Sequence, residues 1–177
     1  MALYPVIREI KKIIKESQLS FYQSLGYLVF GSRLRRLSEY FLMEVNRVYE
    51  QAGISFDASW FPVFYLLSEQ QPMPIIDIAE KLEISHSAVS QMVTNLKKKG
   101  LLKTTPCPED GRRQLVAFSK KGEEMLQRIQ PIWDAITVAM NDLVAESPQS
   151  KQVLAAIAQI EQAVQQQPLS ERITRQL

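Results

Sequence analysis

The stretch that most constrains this chain runs over residues 75–122. It opens with two short amphipathic patterns set close together. In residues 75–81, "IIDIAEK", the inward candidates are Ile76, Ile78 and Ala79, with Leu82 following. Leu82-Glu83-Ile84 then leaves room only for a tight connection. Ser85 begins the second pattern as a plausible N-cap. Val89, Met92, Val93 and Leu96 follow at helical spacing, and Gly100 closes it. This is helix–turn–helix spacing. After Gly100 the period changes. "LLKTTPC" and "QLVAFS" read as two short strands, and Pro106, Pro108 and Gly111 make "PEDGRR" between them a loop.

Helix, turn, helix and hairpin is the order of a winged helix. Long amphipathic patterns flank it. Residues 4–17 carry Val6, Ile7, Ile10, Ile13 and Ile14 on one side, with lysines opposite. The spacing predicts a long helix over 32–52, with Leu34, Leu37, Phe41, Val45, Val48 and Ala52 as its stripe and Gly53 as its stop. Asp57 or Ser59 caps a further helix reaching Glu69, in which Pro62 implies either a late start or a kink. From Lys121 the helical period returns and runs to Val144; Pro131 is a candidate bend. Pro148 breaks it, one more helix follows, and the tail after Pro168 reads as loosely held. The expected fold is mainly α with a small β-wing: a winged helix-turn-helix flanked by long N- and C-terminal dimerisation helices. The boundaries expected are 1–30 for an N-terminal helical extension, 31–147 for the winged-helix domain with its dimerisation helices, and 148–177 for a C-terminal helix and tail. A compact winged unit does not need so much extra apolar surface. It extends the core or forms an interface, and two-fold dimers are the commonest oligomers.

Composition narrows the class. No run of eighteen apolar residues predicts a transmembrane helix, and the first residues mix charge with apolar side chains unlike a signal peptide. One cysteine, Cys107, excludes an internal disulfide framework. The expectation is a soluble cytoplasmic protein. Net charge is +2, but Lys97, Lys98, Lys99, Lys103, Arg112, Arg113, Lys120 and Lys121 against Glu109 and Asp110 give residues 96–121 a local +6. Such a segment is either an electrostatic footprint for nucleic acid or a solvated lysine-rich face.

The second helix of the pair bears on that choice. Opposite its apolar stripe, Ser87, Ser90, Gln91, Thr94 and Lys98 share another side. Short polar side chains let a backbone approach a surface closely, and their hydroxyl and amide groups can pair with base edges in a major groove. Lys97, Lys98 and Lys99 would lie near phosphates. His86, the only histidine, either touches a base or phosphate or faces water in the turn. A lone histidine does not make a metal site, and no metal or cofactor is expected.

"IIDIAEKLEISHSAVSQMVTNLKKKGLL" followed by "PEDGRRQLVAFSKKGEEML" resembles the MarR family of bacterial winged-helix regulators, with a likeness extending over about 25–144. The wing pattern rests on Asp110, Arg112 and Gly122. Phe118 and Ser119 stand where the family usually has leucine and threonine. The resemblance implies that Arg112 enters a minor groove, where narrow A·T-rich DNA favours arginine; Arg113 beside it adds a phosphate contact and Asp110 orients. The plainer alternative is a wing tip with an internal Asp110–Arg112 pair. Residues 25–68 also resemble the front of relatives carrying a fused N-acetyltransferase domain. Few residues follow Val144, and that activity is not expected here.

The resemblance further implies a small aromatic or anionic effector, with Tyr40, Arg47, Trp60 and Phe64 lining its site. Read as residues alone, the aromatics are core and Arg47 a surface charge, and this reading is the stronger. Cys107 near Lys103 and the arginines invites a redox reading, which the lack of a second cysteine weakens. No nucleophile–base pair, phosphate loop or metal cluster marks an enzyme. The expectation is a sequence-specific DNA-binding transcriptional regulator, a repressor, acting as a homodimer on double-stranded DNA bearing a pseudo-palindrome. The alternative is a winged-helix protein–protein assembly module that does not read DNA.

Overall fold

The computed structural model describes residues 21–110 and 113–177. The N-terminal helix expected over 4–17, and Gly111 and Arg112 at the wing tip, lie outside the described residues. The chain divides into two compact units at Phe61/Pro62.

The first unit holds a short helix α1 (Phe21–Ser24), a 3-10 turn (Gly26–Val29) and the long helix α2 (Phe30–Gln51). Gly53, at φ +64°, takes the left-handed conformation that ends α2, close to where its sequence placed the stop. Behind it Tyr49, Ile54, Phe56 and Ala58 are buried. The Tyr49 and Phe56 rings meet edge-on at 5.2 Å, and Phe56 meets Trp60 at 5.4 Å. Asn46 Oδ1 accepts from Ala58 N at 2.7 Å, tying α2 to the turn that follows. By contrast residues 31–40 are exposed throughout, Leu34 and Leu37 of the apolar stripe among them.

The second unit opens with α3 (Phe61–Glu69). Asp57 caps the 3-10 turn before it, Oδ1 accepting from Ser59 N at 2.8 Å. The helix thus starts late, and Pro62 falls in its first turn, where a missing N–H costs nothing. Next come β1 (Met73–Pro74), α4 (Ile75–Leu82), α5 (His86–Lys98), β2 (Leu102–Pro106), β3 (Gln114–Phe118) and α6 (Lys120–Ala145), then α7 (Val153–Gln166) and α8 (Leu169–Thr174). The three strands form one antiparallel sheet in the order β1-β3-β2. Register pairs Leu102 with Phe118 and Pro106 with Gln114.

The core of this unit follows the periodicities of its elements. Val89, Val93 and Leu96 of α5 are buried at i, i+4 and i+7, and Val116 and Phe118 of β3 are buried at i and i+2. Phe64 of α3 packs on Phe118 with ring centroids 4.9 Å apart. Ile78 and Ala79 of α4, Leu101 and Leu102, and Met125 and Ile129 of α6 complete it. One inward candidate fails: Ile76 is exposed. In a two-turn helix it sits about 100° round from Ile75, off the face shared by Ile78, Ala79 and Leu82. The residues after Pro168 also depart from expectation. They form α8, and Arg172 donates to Ala163 O (2.9 Å) and Gln167 O (3.1 Å), closing the end of α7.

Candidate nucleic-acid interface

The site is built outward from the turn between α4 and α5. Glu83 ends α4 in the left-handed conformation (φ +53°), which reverses the chain within three residues. Ser85 then caps α5, its hydroxyl accepting from Ala88 N at 3.2 Å. The Ser87 hydroxyl lies 3.0 Å from that of Ser85, so both are held at the helix start. With the apolar stripe buried, the polar row has one direction left. Ser87, Gln91, Thr94 and Lys98 are exposed, Ser90 is partly so, and His86 is exposed at the first helical position.

The wing comes beside this helix. Arg113 is exposed, its N–H donates to Asp110 O at 2.9 Å, and its guanidinium lies 3.8 Å from the Asp110 carboxylate. An ion pair so exposed contributes little stability; it orients Arg113. The Cys107 N–H donates to Arg113 O at 2.9 Å, closing the base of the loop. A groove of about 280 Å³ brings His86 and Ser90 of α5 together with Arg113 and Gln114 of the wing, over a floor of Pro74, Ile75 and Ile76.

Gln114 was not singled out by its sequence, although a polar residue opening an alternating strand is a signal for its exposed face. Lys97 is a second omission. It reads as one of three cluster lysines, but its ammonium donates to Thr104 Oγ1 at 2.6 Å and ties α5 to β2. Lys98, Lys99, Lys103, Lys120 and Lys121 are exposed in the same unit.

The four residues expected around an effector are engaged locally. Tyr40 is exposed on α2, beside Phe41. Arg47 pairs with Glu44 at 2.9 Å on the same helix. Trp60 is half-buried against Phe56. Phe64 has no exposed surface and belongs to the core of the second unit. Among the described residues no group of three or more His, Cys, Asp or Glu could hold a metal ion, and no helix is long and apolar enough to cross a membrane.

This arrangement of helix, turn, helix and wing has relatives. The family model described as "MarR family" matches residues 53–113, which include both helices of the pair and reach the wing tip. The HTH-type transcriptional repressor IacR of Pseudomonas putida is 28% identical over 99 residues, covering 52% of this chain and 59% of the repressor. Over residues 53–113 the chain is similar to the MarR family. It matches under two thirds of that curated relative's length. Among solved structures, the S. aureus MepR–DNA complex superposes with a TM-score of 0.66 at 19% identity, covering 76% of this chain and 97% of that one. The M. tuberculosis transcriptional regulator MOSR, in complex with DNA, gives 0.63 at 17%, covering 78% and 97%. At these identities the structures establish a shared fold, the winged helix of MarR regulators.

Proposed function

We propose that this chain is a cytoplasmic, sequence-specific DNA-binding transcriptional regulator of the MarR family. It acts as a homodimer on a pseudo-palindromic operator and represses by occupying a promoter. The observation that carries the reading is the exposed row Ser87, Ser90, Gln91, Thr94 and Lys98 on a helix whose other face is locked in the core, with Arg113 of the wing sharing a groove with its first turn. The two copies of α5 read major-groove half-sites about one helical turn apart. Arg112 and the wing hold the adjacent minor groove, and Lys98 and Arg113 face phosphate. MepR and MOSR, solved on DNA, support this use of the fold.

The homodimer draws support from the flanking helices. In α7, Val153, Ile157, Ile160 and Val164 recur at i, i+4, i+7 and i+11, yet no residue of α7 is buried. An apolar stripe with no core to cover needs a partner surface. Residues 31–147 make the regulatory body in this reading, and 148–177 extend its interface. A small aromatic or anionic effector would act by favouring one separation of the two α5 helices over another. Tyr40, Arg47 and Trp60 keep exposed surface for it, and Phe64 would act only through the core.

Selection from a random duplex pool at two salt concentrations tests the reading. The expected result is an enriched pseudo-palindrome, bound less tightly at higher salt and lost in the double variant Gln91→Ala, Arg112→Ala. The same unburied stripe favours one rival, a protein assembly module. A folded dimer that enriches no sequence, and whose partner binding is untouched by Arg112→Ala, would establish that rival instead.

A further inference from the structure

The reading helix α5 is joined to α6 by a compact set of contacts. A helix leaves its last carbonyls without helical partners. Here those at and just beyond the end of α5 are received by residues 119–122. Lys99 O accepts from Lys121 Nζ at 2.9 Å. Gly100 O accepts from Ser119 Oγ at 2.5 Å, and Leu101 O accepts from Ser119 N at 3.0 Å. The Ser119 hydroxyl also accepts from Gly122 N at 3.0 Å, so one side chain caps α6 and holds the end of α5. Gly122 lets the two backbones touch: a Cβ there would lie 2.0 Å from Leu101 O.

The lever this joint controls has the length scale of DNA. With 13 residues, α5 is about 20 Å long. A tilt of about 10° at one end moves the other by about 3.4 Å, roughly the rise of one base pair along a strand. A joint loose by that angle would let a dimer accept half-sites one base pair closer or farther apart. We infer that Ser119 and Lys121 are positioning residues: they fix the angle between α5 and α6 and so set the half-site separation that the dimer accepts. This rests on the proposed dimeric DNA-binding function. Lys121 contributes through its bond to Lys99 O, apart from any attraction to phosphate.

The test measures Kd of the full-length protein on selected operators whose half-site separation is changed by −1, 0, +1 and +2 base pairs. Ser119→Asp keeps an acceptor for Gly122 N, and so the cap of α6, but has no proton for Gly100 O. Lys121→Met removes the bond to Lys99 O. Ser119→Thr keeps both roles of the hydroxyl. Either charge change weakens all operators alike, and the ratio of Kd at shifted and native separations cancels that uniform loss. The expected ratio is above tenfold for the wild type and Ser119→Thr, and at least threefold smaller for Ser119→Asp and Lys121→Met. Folded variants whose profiles superimpose on that of the wild type, or a wild type indifferent to separation, would overturn the inference. A wild type that binds no duplex would instead overturn the DNA-binding function on which it rests.

Discussion

Gly122 shows how one missing methyl can decide a joint. It is buried in the first turn of α6, and an added Cβ would meet Leu101 O at 2.0 Å and the Phe118 ring at 3.1 Å. Backbone cannot yield as a flexible side chain can, so Gly122→Ala should destabilise by about 1–3 kcal/mol. In a chain of this size that lowers Tm by several degrees, read by thermal circular dichroism. The opposite holds at Glu83. A non-glycine residue in the left-handed region costs about 1–2 kcal/mol, and glycine there would return about 0.5–1 kcal/mol of that as unfolded-chain entropy. Glu83→Gly should therefore raise Tm slightly. A fall would mean that the Glu83 side chain makes a compensating contact. The resemblance marked Gly122 as part of a wing pattern, but its reason was not legible in sequence: Leu101 lies twenty-one positions away and comes close only once the strands pair.

At the scale of the element, the proposed function makes one face of α5 serve stability and the other recognition. Leu96 is fully buried, and Leu96→Ala should cost about 2–5 kcal/mol, measured by urea unfolding. Gln91 is exposed, and Gln91→Ala should change stability by no more than about 0.5 kcal/mol. Its effect belongs in the selected operator sequence. A Gln91→Ala protein that enriches the wild-type sequence unchanged would remove Gln91 from the reading row. Both faces of α5 were readable because a 3.6-residue period sorts them without tertiary information. The strand β1 was not. Pro72 and Pro74 punctuate the sequence there and point to a loop. Pro74 is tolerated because β1 lies at the edge of the sheet, where a residue without an N–H can still sit opposite Leu115. Edge position is a property of the assembled sheet and has no local signature.

For the whole molecule, the question is where the stripe of α7 goes. Sequence periodicity gave the stripe but could not say whether it covers the chain's own core or another surface. In the structure Leu154 is 78% exposed and Ile160 is 44% exposed, and none of the helix is buried. Burying an aliphatic side chain fully contributes about 1.5–3 kcal/mol. Across a two-fold interface each substitution acts twice, once from each copy. A charge at Ile160 would lose that contribution on both sides and add two carboxylates that have to be desolvated. Ile160→Glu, on its own or with Ile157→Glu, should therefore shift sedimentation from dimer toward monomer while far-ultraviolet circular dichroism stays unchanged. Operator affinity should fall with it, because two half-sites held by separate chains no longer share one binding event. If the variant sediments as wild type, α7 is not the interface and the exposed half of α2 becomes the next surface to charge. If it becomes monomeric yet binds the full operator as tightly as before, the protein reads DNA one half-site at a time and the homodimer has no part in recognition.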